Sequence, residues 1–184
     1  MSYAIHRIAT DSADGLDPDL AREICRQLWD MLEDDGLAAE VFYEGDVADE
    51  ATFEAAMLRP ETALYAGWHE GSSRPAGFAW LTDQAGKAVR IHFCFFRDMR
   101  RHALPLARAF VRYLLTAQTE QGRPFFETVY GMLPESNHAA IRLGRKLGFR
   151  AIGVLPGAAY IAAEDRLEGL FLCCLTRKEV IDHG

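Results

Sequence analysis

The run "AVRIHFCFFRD", residues 88 to 98, places one titratable side chain in an otherwise apolar strand pattern. Alternation puts His92, Cys94 and Phe96 on one side and Ile91, Phe93 and Phe95 on the other. A histidine titrates near neutrality, so His92 is a candidate general base. It also reads as a satisfied core residue. Glu127, expected on a neighbouring strand, becomes a second candidate base if burial raises its pKa. Cys94 could carry an acyl group on its thiol, although a small buried hydrophobe is the simpler reading. Directly after the strand comes a basic run, Arg97, Arg100, Arg101, His102, Arg108 and Arg112 against the single Asp98. It leads into an amphipathic helix, and a helix start flanked by arginines suits an anion. A solvated basic face is the alternative.

A further stretch, "SNHAAIRLGRKLGF" (136 to 149), reads as a short helix with Asn137 as its cap. At 100° per residue, Ala140, Leu143, Gly144 and Leu147 share the inner face. Glycine there costs roughly 1 kcal/mol relative to alanine. Either a close backbone approach requires it or a larger side chain has been dispensed with.

These residues need a scaffold, and 184 residues with 49% hydrophobic and 26% charged side chains suffice for a single domain, 1 to 184, with a sizeable core. The spacing predicts a first strand "YAIHRIAT" and a helix "DLAREICRQLWDMLEDDG". The helix has Leu20, Ile24, Leu28, Met31 and Leu32 on its buried face and Trp29 flanking. A shorter helix, "DEATFEAAMLRP", stops before Pro60. Three strands ("TALYAGWHEG", "RPAGFAWLTD", "AVRIHFCFFRD") form an antiparallel meander. The helix "ALPLARAFVRYLLTAQTEQG", with Leu104, Ala107, Val111, Leu114 and Leu115 inward, precedes the strand "FFETVYGML" and the Asn137 helix. "FRAIGVLPG" and "LEGLFLCCLTRKE" are the final strands. The fold class is α+β (mixed α/β), with helices covering a largely antiparallel sheet.

A net charge of −7 argues against nucleic acid as partner. No apolar run approaches a membrane span, and the N-terminus lacks a signal-peptide core. Cys25, Cys94, Cys173 and Cys174 show no ligand spacing, so they read as reduced thiols of a cytoplasmic protein without a metal site. Acid is concentrated between residues 11 and 54, from Asp11 and Asp14 to Glu50 and Glu54.

The strand, basic turn "MRRHALP" and helix "LARAFVRYLL", followed by the strand ending "VYGMLPESN" and the helix "NHAAIRLGRKLGF", resemble in order and spacing the GNAT superfamily of acyl-CoA-dependent N-acyltransferases. The resemblance covers about residues 3 to 178. The strand–turn–helix segment resembles the family's pyrophosphate loop, R/Q-x-x-G-x-G/A. The Asn137 segment is similar to its N-x-x-A-x-x-x-Y-x-x-x-G-F signature, which Asn137, Ala140, Gly148 and Phe149 fit. The resemblance implies acetyl-CoA as cosubstrate, held by Phe95, Phe96, Arg100, Arg101, His102, Ala103, Leu104 and Asn137. It implies an amine as acceptor, small molecule or peptide, with His92 or Glu127 as base. The acidic helices and Trp29, Phe42 and Tyr43 would lie toward that amine, and a homodimer is compatible with the family.

The departures are specific. Ala103 and Pro105 stand where the loop favours glycine and glycine or alanine. Gly144 stands where the family often has a tyrosine that protonates the departing thiolate, which leaves Tyr130 or Tyr160 as substitute acids. Three functions stay open: a transferase, an acyl-CoA-binding module without turnover, and an interaction protein that kept the fold.

Overall fold

The computed structural model describes residues 2–9 and 16–182. Thr10, at the end of the expected first strand, and the acidic Asp11 and Asp14 lie outside the described residues.

Seven strands form one sheet: β1 (Tyr3–Ile8), β2 (Ala63–His69), β3 (Pro75–Ala85), β4 (Ala88–Phe95), β5 (Thr128–Pro134), β6 (Arg150–Ile161) and β7 (Arg166–Thr176). Their order is β1-β2-β3-β4-β5-β7-β6. All neighbours are antiparallel except β4 and β5, which run parallel. The α+β class and the meander are as the sequence predicts.

Helix α1 (Pro18–Asp34) starts at Asp17, whose carboxylate accepts from the N–H groups of Asp19 and Leu20, with Pro18 in the first turn. Its buried face includes Ala21, Cys25, Leu28, Met31 and Leu32 together with Trp29. Leu20, expected inside, is 47% exposed, because the helix rotates to bring the larger Trp29 against Phe53. After the short α2 (Ala38–Val41), α3 (Glu50–Met57) begins in a reciprocal capping box between Asp49 and Thr52. These helices cover one sheet face, packing on Phe78, Trp80, Cys94 and Phe96.

Helix α4 (Ala103–Thr116) covers the other face. It buries Leu106, Ala107, Phe110, Val111, Leu114 and Leu115 against Val89, Ile91, Val129 and Leu175. Beside it lies α5 (His138–Leu147), closed by Gly148 at φ 95, a left-handed cap that suits glycine. The alternation of β4 is as expected: Cys94 and Phe96 join the first cluster, Ile91, Phe93 and Phe95 the second.

Several boundaries differ from those the sequence predicts: the helix expected to run to Gly122 ends at Thr116, and the strand expected to end at Gly157 continues to Ile161. The last strand ends at Thr176, and Arg177–Asp182 form α6. Glu179 accepts from both the backbone N–H and the hydroxyl of Thr176, so "TRKE" is a helix start rather than a strand end. The basic turn before α4 takes the form of a 3-10 helix, Arg97–His102.

Candidate active site

The parallel pair β4 and β5 stays in register for three residue pairs, Ala88↔Thr128, Val89↔Val129 and Arg90↔Tyr130. Both strands run on, β4 to Phe95 and β5 to Pro134, while each keeps its antiparallel neighbour on the far side. The sheet is thus split along the carboxyl-terminal halves of two parallel strands. The helices that follow these strands, α4 and α5, begin at the open end. Strand carboxyl ends beside helix N-termini form a crevice suited to an anionic ligand.

The turn into α4 fits such a ligand only in part. Arg100 is exposed at its rim. The Ala103 N–H donates to Arg100 O, and Pro105 has none, so two of the first three helix positions offer no N–H to a ligand. The Arg97 N–H donates to Asp35 Oδ2 at 2.5 Å, tying the turn to the end of α1. On the β5 side, Asn137 Oδ1 accepts from the Ala140 N–H at 3.0 Å and caps α5. The turn before it is fixed by Glu168, whose carboxylate accepts from the N–H and Oγ–H of Ser136 at 3.0 and 2.7 Å. Burial would raise the Glu168 pKa, but these donors and Arg166 outweigh it and bring it to about 2.

Two residues expected against the cofactor are not available to it. His102 is 3% exposed, and its ring nitrogens meet Tyr3 Oη and Arg101 Nε, each at 3.0 Å. Burial, His69 and Arg101 lower its pKa, so it is a neutral internal support for the turn. Phe96 is 1% exposed and packs on Phe78; its N–H goes to Ala76 and its carbonyl to Met99. Phe95 remains half-buried on the α4 face, stacked on Phe93, with Leu104 half-buried in the first turn of α4.

On the opposite face, beside the last paired residues, lies a cavity of about 160 Å³. Its floor is Trp80, Thr82, Arg90 and His92; its wall is the segment Val41–Val47. His92 stacks on Trp80, and its Nε2 is 3.1 Å from Thr82 Oγ1. Thr82 Oγ1 in turn donates to Asp83 Oδ2 at 3.2 Å, which links the imidazole to that carboxylate. Arg90 Nη1 donates to the same Asp83 oxygen at 3.3 Å. Asp83 has φ 50, a left-handed conformation uncommon outside glycine, at an irregularity in the β3–β4 register. Its carbonyl accepts from Tyr130 Oη at 2.8 Å.

His92 does not suit the role of a base. Burial, reinforced by Arg90 and only partly opposed by Asp83, brings its pKa down to about 3. A group that weakly basic takes few protons at neutral pH. Tyr130 does not line the cavity; its hydroxyl holds the Asp83 carbonyl, and its pKa is raised by burial and Asp83 against Arg90. Glu127 precedes β5 at the closed end of the split, exposed, its N–H paired with Lys87, so the structure does not bring it to the cavity. Tyr160 donates to Asp165 at 2.9 Å, in the β6–β7 hairpin. The Cys94 thiol is 4% exposed and its pKa is raised by burial first, which makes it a core residue and not an acyl carrier.

Gly144 is not explained by close packing. A Cβ there would meet only Phe149 Cβ, at 3.9 Å, an ordinary contact. Sequence reasoning passes over Thr82, Asp83 and Arg90. The signal is present for one of them: Arg90 and His92 are polar residues two apart on one face of an apolar strand.

No family model and no curated protein matches the chain. Solved structures do. A variant of the spermidine N-acetyltransferase SpeG from Vibrio cholerae superposes with TM-score 0.71 at 12% identity, covering 98% of both chains. A GNAT-family acetyltransferase from Bacillus anthracis gives 0.70 at 12%, covering 96% of each. RimL, an alpha-N-protein acetyltransferase solved with coenzyme A, gives 0.69 at 11%, covering 95% of each. The chain therefore has the GNAT fold over nearly its whole length. Among the described residues, no helix is long and apolar enough to cross a membrane.

Proposed function

We propose that this protein is an N-acyltransferase that moves an acyl group, acetyl by default, from acyl-CoA to a primary amine. The observation that carries this reading is the split between β4 and β5, bounded by two helix N-termini on one side and the His92 cavity on the other. An acyl donor would lie in the split with its pyrophosphate toward Arg100 and its pantetheine arm near Asn137. The amine would enter from the cavity. The amine nitrogen attacks the thioester carbonyl; the N–C bond forms, the C–S bond breaks, and sulfur leaves as a thiolate that takes up a proton. With His92 held neutral, the amine's proton passes to water, and orientation supplies much of the rate. The spermidine N-acetyltransferase from Vibrio cholerae is also solved with CoA and spermine, which supports a donor and an amine on this fold.

A second reading, an acyl-CoA binder without turnover, is favoured by Gly144 and by the weak basicity of His92. Thiol release from acetyl-CoA over a panel of primary amines separates the two. Amine-dependent release supports the transferase. Acetyl-CoA binding without release from any amine supports the binder.

A further inference from the structure

Strand β6 is the last in the sheet order, and among the described residues it pairs only with β7. Its outer edge therefore carries backbone groups that no strand satisfies. Every residue from 150 to 157 is exposed. Edge strands are usually blunted by charge, most often by lysine. Here residues 151 to 161 include no charged side chain.

The exposed side chains are instead large and apolar. Ile152 is 63% exposed, Val154 43%, Leu155 53% and Tyr160 42%, and Leu167 on β7 adds 66%. Val154 stands opposite Phe171, and Tyr160 opposite Leu167. Leu155, next in the chain to Val154, turns to the other face, opposite Leu170. The edge is thus apolar toward both faces of the sheet. Exposed apolar surface of about 500 Å² is at the upper end for a monomer, and with the strand backbone it approaches the roughly 800 Å² per partner of a stable interface.

We propose that two copies of this chain meet edge to edge through β6, antiparallel about a two-fold axis. In such a pair each strand packs against its own sequence, so a strand charged along its length would repel itself. The uncharged β6 avoids this, while the net charge of −7 opposes contact between copies over the rest of the surface. Register irregularities between Ala151 and Gly153 and between Leu155 and Ala159 keep the ladder short, as does Pro156, which lacks an N–H. A short ladder closed by a two-fold axis occupies the edge in both copies and leaves none of β6 for open-ended stacking. The inference does not depend on the transferase reading. The β6–β7 hairpin also donates from the Ala162 N–H to the Tyr43 carbonyl at 2.8 Å, so the interface adjoins the wall of the His92 cavity.

Sedimentation equilibrium of the full chain tests this. The protein is expected to sediment as a dimer with a micromolar or tighter dissociation constant. Ile152→Lys and Leu167→Lys, at exposed positions outside the core, should each weaken association at least roughly tenfold. Leu20→Lys, at an exposed apolar position on α1, should leave it unchanged. Amide exchange at residues 151 to 155 should be slower in the dimer than in the Ile152→Lys monomer. Three results overturn the inference: a monomer at about 100 μM protein, a thousandfold below the weakest specific binding expected here being unnecessary to reach; association that neither hairpin variant weakens; or exchange at 151 to 155 that is as fast in the dimer as in the monomer.

Discussion

The imidazole of His92 lies flat on the indole of Trp80, ring centroids 4.5 Å apart and planes 8° from parallel. This stack, with the Thr82 hydroxyl on Nε2, builds a neutral histidine into the cavity floor. Its folded pKa of about 3 is far below the ordinary 6.5. The unfolded chain therefore binds a proton that the folded chain refuses. The stabilising contribution is present above about pH 6.5 and is lost as pH falls toward about 3. His92→Gln should flatten the loss of stability on acidification, read by urea unfolding at neutral and acidic pH. In turnover, the pH profile of kcat/KM should show no inflection from His92 between about pH 5 and 8.

Gly144 sits in a helix with room beside it. Gly144→Ala should raise stability by up to about 1 kcal/mol. Gly148→Ala, at φ 95, should instead lower it by a similar amount. Thermal unfolding of both variants checks the contrast. A Gly144→Ala variant less stable than the parent would mean that the helix packs more closely than described.

Most of this architecture can be read from period and punctuation. The alternation in β4, the cap at Asn137 and the glycine stop at Gly148 all follow from local chemistry. What resists is tertiary. Leu20 and Trp29 compete for one helix face, and only the neighbouring Phe53 decides between them. His102 reads as an exposed member of a basic turn until Tyr3, 99 residues away, claims its ring. Asp83 acquires its role from a strand irregularity that no period announces.

Asn137 has two separable roles. Asn137→Asp keeps the acceptor oxygen of the cap but loses the amide donor and adds a negative charge. Helix stability should change little while acetyl-CoA affinity falls. Asn137→Ala should reduce both, with a stability cost of about 1 kcal/mol. Unfolding and binding measured on the same preparations separate the effects, and equal affinity in all three proteins would remove Asn137 from the cofactor site.

Glu168 fixes the turn that presents Asn137, through Ser136. Glu168→Gln should loosen that turn and weaken acetyl-CoA binding several-fold, with rescue by Glu168→Asp only if the shorter side chain still reaches Ser136. Amide exchange at Ser136 reports the loosening directly. Unchanged exchange there would show that Glu168 does not hold the turn.

Placement of an acyl-CoA in the split between β4 and β5, at the turn carrying Arg100, is tested most directly by titration calorimetry. Acetyl-CoA is titrated into the parent protein and into Arg100→Ala. Micromolar binding, weakened roughly tenfold by the substitution, is the predicted result. No detectable heat at millimolar acetyl-CoA, or equal affinity in the two proteins, would contradict it.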